Sequence, residues 1–240
     1  MRVVTNAALI QRNRTIAQAS FFFSIIILAA SFYFSVQYGN EQNGYIFNCL
    51  VVPALFSAML FAVRTSNKWI REPVAWNALP EALKGISTDA VLYQYVLPAE
   101  HVLVAPQGVF VLLPLFHDRP LVVEDDKFRI PGGPFGMVFT FMRQEQLGNP
   151  AARAMEAAEA VQELLDEHFP DNNLHARPVI VFTHPNTRVE LDGEQEVPVV
   201  FALSKQSPSL KDFVKSQETI VGGTLTAEQI DELDDMYIYE

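Results

Sequence analysis

AEHVLVAPQGVFVLL, residues 99–113, holds two dense runs of β-forming residues, His101–Ala105 and Val109–Leu113, joined by Pro106-Gln107-Gly108. Continuous apolar strands are usually covered on both faces, so this pair is predicted to lie centrally in a sheet. Pro suits the first turn position and Gly the left-handed angle, which predicts a three-residue hairpin loop with a bulge. Upstream, VLYQYVL (91–97) reads as another strand and residues 72–88 as a short helix, opened by Pro80-Glu81 and ending near Gly85. Downstream, LVVEDDKFRI (121–130) reads as a second hairpin turning near Asp125-Asp126, and PGGPFG (131–136) as a loop. Residues 137–147 fit strand or helix equally. Asn149-Pro150 then opens a helix, with Asn as N-cap, Pro at the first position and Met155, Ala158, Val161 and Leu165 as its apolar stripe. Pro170 ends it.

PVIVFTH (178–184) and VPVVFAL (197–203) are two more buried-type strands, followed by helices over 208–218 and 226–235. Thr226 and Gln229 form the capping box of the last one. Strands first, then strand and helix in alternation, predict one α/β domain of about 170 residues, placed at 77–240.

The N-terminal quarter is a different kind of sequence. Ile16 to Tyr38 is a 23-residue run without a charge, and Tyr45 to Val63 is a second of 19 residues. At 1.5 Å per residue the first reaches roughly 34 Å, enough for a hydrocarbon core of about 30 Å. Pro53 in the second is tolerated in a membrane span. GNEQNG (39–44) suits a tight turn outside the bilayer. Arg2, Arg12 and Arg14 precede the first run, and Arg64, Lys68 and Arg71 follow the second, while the loop between has no Lys or Arg. The positive-inside rule predicts a transmembrane hairpin (16–38 and 45–63) with both termini cytoplasmic, in the plasma or inner membrane. Residues 1–15 form a cytosolic segment in this reading, and 64–76 a juxtamembrane linker with Trp69 and Trp76 at headgroup level. A cleaved signal peptide competes, but the apolar region is too long for one and a second span follows. Gln18, Ser24, Ser31, Ser35, Gln37 and Asn48 are polar without being ionisable, which suits helix–helix hydrogen bonds better than a transport path.

The 240-residue chain is half apolar and carries a formal charge of −11. Residues 1–63 hold Arg2, Arg12 and Arg14 against Glu41, a balance of +2, so the remainder carries −13. That acidity argues against a nucleic-acid-coating module, and nucleic acid is not an expected partner. Cys49 is the single cysteine, so neither an intramolecular disulfide nor a Cys-rich zinc site is available.

AEHVLVAPQGVFVLL resembles the core of the nuclease-related domain (NERD) family, whose pattern there runs roughly I-D-H-V-V-V-G-P-S-G-V-F-V-I-E-T-K. PVIVFTHP (178–185), VPVV (197–200) and LKDFV (210–214) are similar to that family's C-terminal half. The resemblance spans roughly residues 75–235 and implies a restriction-endonuclease-like fold, a mixed central sheet flanked by helices. It also implies metal-dependent phosphodiester hydrolysis by an Asp, then a Glu two positions before a Lys, with the carboxylates holding Mg²⁺. Transferred by position, the Asp site is Glu100, the Glu site is Leu113 and the Lys site is Leu115, with Pro114 between the leucines. Two leucines offer neither oxygen ligands nor a proton donor, so the resemblance in fold argues against the activity.

A site built from other residues has few candidates. Glu124-Asp125-Asp126-Lys127 sets carboxylates beside a lysine, but such residues favour a solvated turn. His101, His117, His168, His175 and His184 lack zinc-ligand spacing. His184 lies at a strand end, where α/β proteins often bind ligands, yet His-Pro-Asn there also reads as a plain turn. Gly132-Gly133 and Gly222-Gly223 lack the strand–Gly–helix context of a phosphate loop. Ser204 and Ser207 have no motif-placed His. The leading expectation is a membrane-anchored, non-catalytic NERD-like domain without cofactor, whose partners are the lipid bilayer and another protein. A divergent Mg²⁺-dependent nuclease using Glu100 with Glu124 or Asp125, and a small-ligand sensor near His184, are the alternatives.

Overall fold

The computed structural model describes residues 1–38, 42–124, 126–129, 148–170, 173–203, 205–218 and 224–238. They form a mixed α/β protein with a long apolar helix near the N-terminus. Two compact units divide the chain, one made of Ala7–Val74 and the other of Met1–Asn6 with most of the sequence after Ala75.

In the first unit, α1 (Ala7–Tyr38) and α2 (Gln42–Trp69) pack against each other. Residues 7–15, read above as part of a separate segment, are helical because AALIQRNRT contains no helix breaker. Ser24 Oγ donates to its own helix at Ser20 O (2.7 Å), with Ala58 O of α2 at 3.4 Å. The expected helix–helix hydrogen bond is therefore secondary to back-bonding within α1. Ser57 likewise bonds Pro53 O at 2.9 Å. Cys49 and Asn48 lie on a stretch of α2 whose side chains fall outside the described ones.

The second unit is built on a six-stranded sheet of order β1-β2-β3-β4-β7-β9. Its strands are β1 (Arg2–Thr5), β2 (Val91–Gln94), β3 (His101–Ala105), β4 (Gly108–Leu115), β7 (Ala176–Phe182) and β9 (Val199–Phe201). The predicted hairpin is β3–β4, antiparallel and central, but Ala105 pairs with Gly108, so the loop has two residues, not three. Gly108 has φ 136°, a value that favours glycine. β4, β7 and β9 are mutually parallel. β1 runs parallel to β2, pairing Arg2 with Val91 through Thr5 with Gln94. Residues 2–5, placed above in a cytosolic N-terminal segment separate from the domain, are thus the edge strand of the domain's sheet. No local signal announces a four-residue strand whose partner lies 89 positions away.

Side-chain alternation divides the sheet into two covered faces. Leu92, Leu103, Phe110, Leu112, Val179 and Val181 face α3 (Ala75–Ala82) and α5 (Leu210–Ser216) through Leu79, Leu83, Leu210 and Val214. Val91, Tyr93, Val102, Val104, Val109 and Val111 face α4 (Pro150–His168) and α6 (Ala227–Ile238). Burial of each such Leu, Val or Phe stabilises the fold by about 1.5–3 kcal/mol. Asn149 caps α4 as its sequence predicts, its side chain accepting from Ala152 N at 3.1 Å. Thr226 and Gln229 form the reciprocal capping box of α6 at 2.9 and 3.3 Å. The helix predicted over 72–88 is shorter, and Pro80 sits inside it and not at its start.

A second, three-stranded sheet, β6-β5-β8, was not foreseen. β5 (Pro120–Glu124) and β6 (Lys127–Arg129) are the predicted 121–130 hairpin, with Asp126 at φ 59° in the turn. β8 (Arg188–Asp192) pairs parallel to β5. Its sequence, RVELD, buries only Val189, which hides it from a search for apolar runs. The loop at 131–136, the ambiguous 137–147 stretch, Asp125, Ser204 and Gly222-Gly223 lie outside the described residues.

Candidate functional site

The nuclease-type positions fall on β4 and on the turn before β3. Leu113 pairs with Ile180 and Leu115 with Phe182, on the sheet face that meets the small sheet. There Leu115 is 6 % exposed, in one apolar cluster with Leu121, Val123, Ile180, Phe182 and Phe201. Leu113 packs against the same cluster, and Ala151 and Ala154 of α4 close it. The face that would present a metal and a lysine is a filled interior layer. A hard cation finds no oxygen ligand among those side chains.

Glu100 is exposed in the 95–100 turn, where its carbonyl accepts the Tyr95 N–H at 2.7 Å. Burial, and then the charge of Glu100, push the Tyr95 hydroxyl well above the ordinary tyrosine range. Glu124 pairs with Arg129 at 3.2 Å across its own hairpin, and Asp126 accepts from Glu196 N at 3.2 Å. The first braces its own hairpin and the second ties the hairpin's turn to the segment at Glu196. No cluster of three or more His, Cys, Asp or Glu that could hold a metal occurs among the described residues.

His184 accepts the Asn186 N–H on Nδ1 at 3.2 Å and meets the Phe116 ring edge-on at 5.0 Å, the geometry of a turn. His117 is buried, and its carbonyl accepts from Thr187 Oγ1 at 2.6 Å, tying the segments after β4 and β7 together. His101 is buried edge-on to Tyr95 at 4.8 Å. His175 is exposed and His168 lies in the last turn of α4. Ser207 is exposed, immediately before Pro208.

The polar groups the structure does bring together lie on β2. Tyr93 donates its hydroxyl to Asp234 Oδ1 at 2.9 Å, and the other carboxylate oxygen pairs with Arg2 at 2.5 Å. Burial, then the bond to Asp234, raise the Tyr93 pKa, while the Arg2 charge opposes the rise. Next to it, Gln94 bonds Thr5 and the Trp76 carbonyl. No sequence motif marks these residues as a group. The available signal was polar Tyr and Gln inside a strand otherwise buried, which demands partners. Asp234, 141 positions away from Tyr93, could not be named from spacing.

No family model, curated protein or solved structure matches this chain. Its class is what the geometry defines: a mixed-sheet α/β domain with a long apolar helix near its N-terminus that is long and apolar enough to cross a membrane.

Proposed function

We propose that the protein is a membrane-tethered, NERD-like domain of restriction-endonuclease type that does not catalyse hydrolysis and serves as a protein-interaction or scaffolding module. A mixed central sheet with helices on both faces is the architecture that resemblance implies. The observation that carries the non-catalytic reading is the packing of Leu113 and Leu115 into the apolar layer between the two sheets. The alternatives with a Glu100-based Mg²⁺ site or a ligand pocket at His184 have no comparable support. The charge of −13 beyond residue 63 favours a protein partner over a nucleic acid.

Strand pairing supports the hairpin form of the tether. Residues 2–5 and 91–94 share one sheet, so the chain between them crosses a bilayer an even number of times. α1 has length for one crossing: its 32 residues reach about 48 Å at 1.5 Å each, which leaves room for Arg12 and Arg14 outside the core. α2, packed on α1, supplies the return. Both termini then lie on the cytoplasmic side of the plasma or inner membrane, with Arg64, Lys68 and Arg71 on the same side.

Cysteine labelling tests this in a Cys49→Ser background. Asn40→Cys, between α1 and α2 in the sequence, should react with a membrane-impermeant maleimide from outside. Glu232→Cys, exposed on α6, should react only after the membrane is opened. Labelling of Glu232→Cys in sealed cells would refute the orientation.

A further inference from the structure

One buried side chain joins both ends of the membrane segment. Gln94, 1 % exposed, accepts on Oε1 from Thr5 Oγ1 at 2.9 Å and donates through Nε2 to the Trp76 carbonyl at 3.2 Å. Thr5 ends β1, two residues ahead of α1, and Trp76 lies in the first turn of α3, the helix that follows α2. Pro80 makes the second bond possible. Lacking an N–H, it leaves the carbonyl four residues back without its intrahelical donor, and that carbonyl belongs to Trp76.

The adjoining backbone is strained. Tyr95 holds φ 58°, a left-handed conformation unfavourable for a side chain of its size. It is kept there by the Glu100 carbonyl and by edge-on contacts with Trp76 at 6.4 Å and His101 at 4.8 Å. β1, by contrast, is an edge strand. Arg2, Val3 and Thr5 are exposed and Val4 is half-buried against the core, and the attachments of β1 include the ladder to β2, the Arg2–Asp234 pair, an Arg2 N–H bond to Ala90 O at 2.8 Å and an Asn6 N–H bond to Gln94 O at 3.0 Å. An element with polar attachments and little apolar burial opens at low free energy.

We propose that Gln94 is the clasp of a conformational switch, in which β1 docks on or leaves the sheet edge and the change passes through Gln94 and Tyr95 to α3. When β1 is docked, the Gln94 amide is fixed between the two chain ends and Tyr95 is locked in its strained corner. When β1 leaves, the amide is freed, the corner relaxes toward extended backbone and α3 loses its lateral bond. Displacement of the chain entering α1 is thereby reported to the chain leaving α2. This inference rests on the membrane half of the proposed function and not on its catalytic half.

Hydrogen exchange by mass spectrometry on the full chain in lipid nanodiscs tests it. Thr5→Val removes one donor at an exposed position and preserves side-chain size. Exchange should quicken roughly three- to tenfold in residues 2–6, and also in 75–82 and 94–100, with 102–112 and 177–182 unchanged. Gln94→Met, which removes both bonds, should reproduce that three-segment pattern. Quickening confined to 2–6, or none, overturns the switch for either variant. The membrane reading fails separately, whatever these segments show, if residues 16–37 exchange as fast in nanodiscs as an unprotected helix.

Discussion

Leu115→Lys unfolds the domain. The side chain is 6 % exposed and surrounded by Leu121, Val123, Ile180, Phe182 and Phe201, none of which can accept a proton or pair with a charge. Burying an uncompensated ammonium there costs several kcal/mol even after relaxation. Total stability of a domain is about 5–15 kcal/mol, so the loss removes most of it. Leu115→Met, which keeps the volume, should cost less than about 1.5 kcal/mol. Urea unfolding of the purified full chain, followed by circular dichroism, separates the two. Placing at this position the lysine that the proposed resemblance implies thus destroys the fold instead of creating a reactive site. A Leu115→Lys protein of near wild-type stability would mean that this face is open.

Phe182→Ala should cost about 3–5 kcal/mol by transfer and cavity terms together. Phe182 is fully buried at the end of β7, stacked on Phe201 at 6.0 Å and facing Phe128 of the small sheet at 6.4 Å. It bridges the two sheets, so the loss should be greatest at their junction. The denaturation midpoint should fall, and β5 and β8 amides should lose protection before those of β3. Phe22→Ala on α1, where the side chain is 63 % exposed, should leave the domain's midpoint unchanged. An equal effect of both substitutions would contradict the packing described.

What the sequence revealed was local chemistry. The Asn149-Pro150 start of α4, the Thr226/Gln229 box of α6 and the β3–β4 hairpin each depend on residues a few positions apart; the two caps stand as read, and the hairpin does so except that its loop is one residue shorter. The VLYQYVL strand was overextended. It stops at Gln94 because Tyr95 turns left-handed to reach the Glu100 carbonyl, and nothing in the alternation of apolar residues forecasts that. β1 and β8 escaped because their register is set by partners distant in the chain, and because both expose most of their side chains. At the candidate site, the leucines at 113 and 115, where the resemblance implies Glu and Lys, were visible in the sequence alone. The burial of Leu115 and the packing of the half-buried Leu113 beneath a second sheet were not, since that sheet depends on β8. The Arg2–Asp234–Tyr93 and Thr5–Gln94–Trp76 contacts were invisible for the same reason.

Metal titration is the most direct test of a non-catalytic domain. The full chain in lipid nanodiscs would be titrated with Mn²⁺ by calorimetry, alongside Glu100→Ala. The packed Leu113/Leu115 face predicts no binding tighter than about the millimolar range, identical in the two proteins. Binding about a thousandfold tighter that disappears in Glu100→Ala would contradict it, by showing a metal site built on that carboxylate.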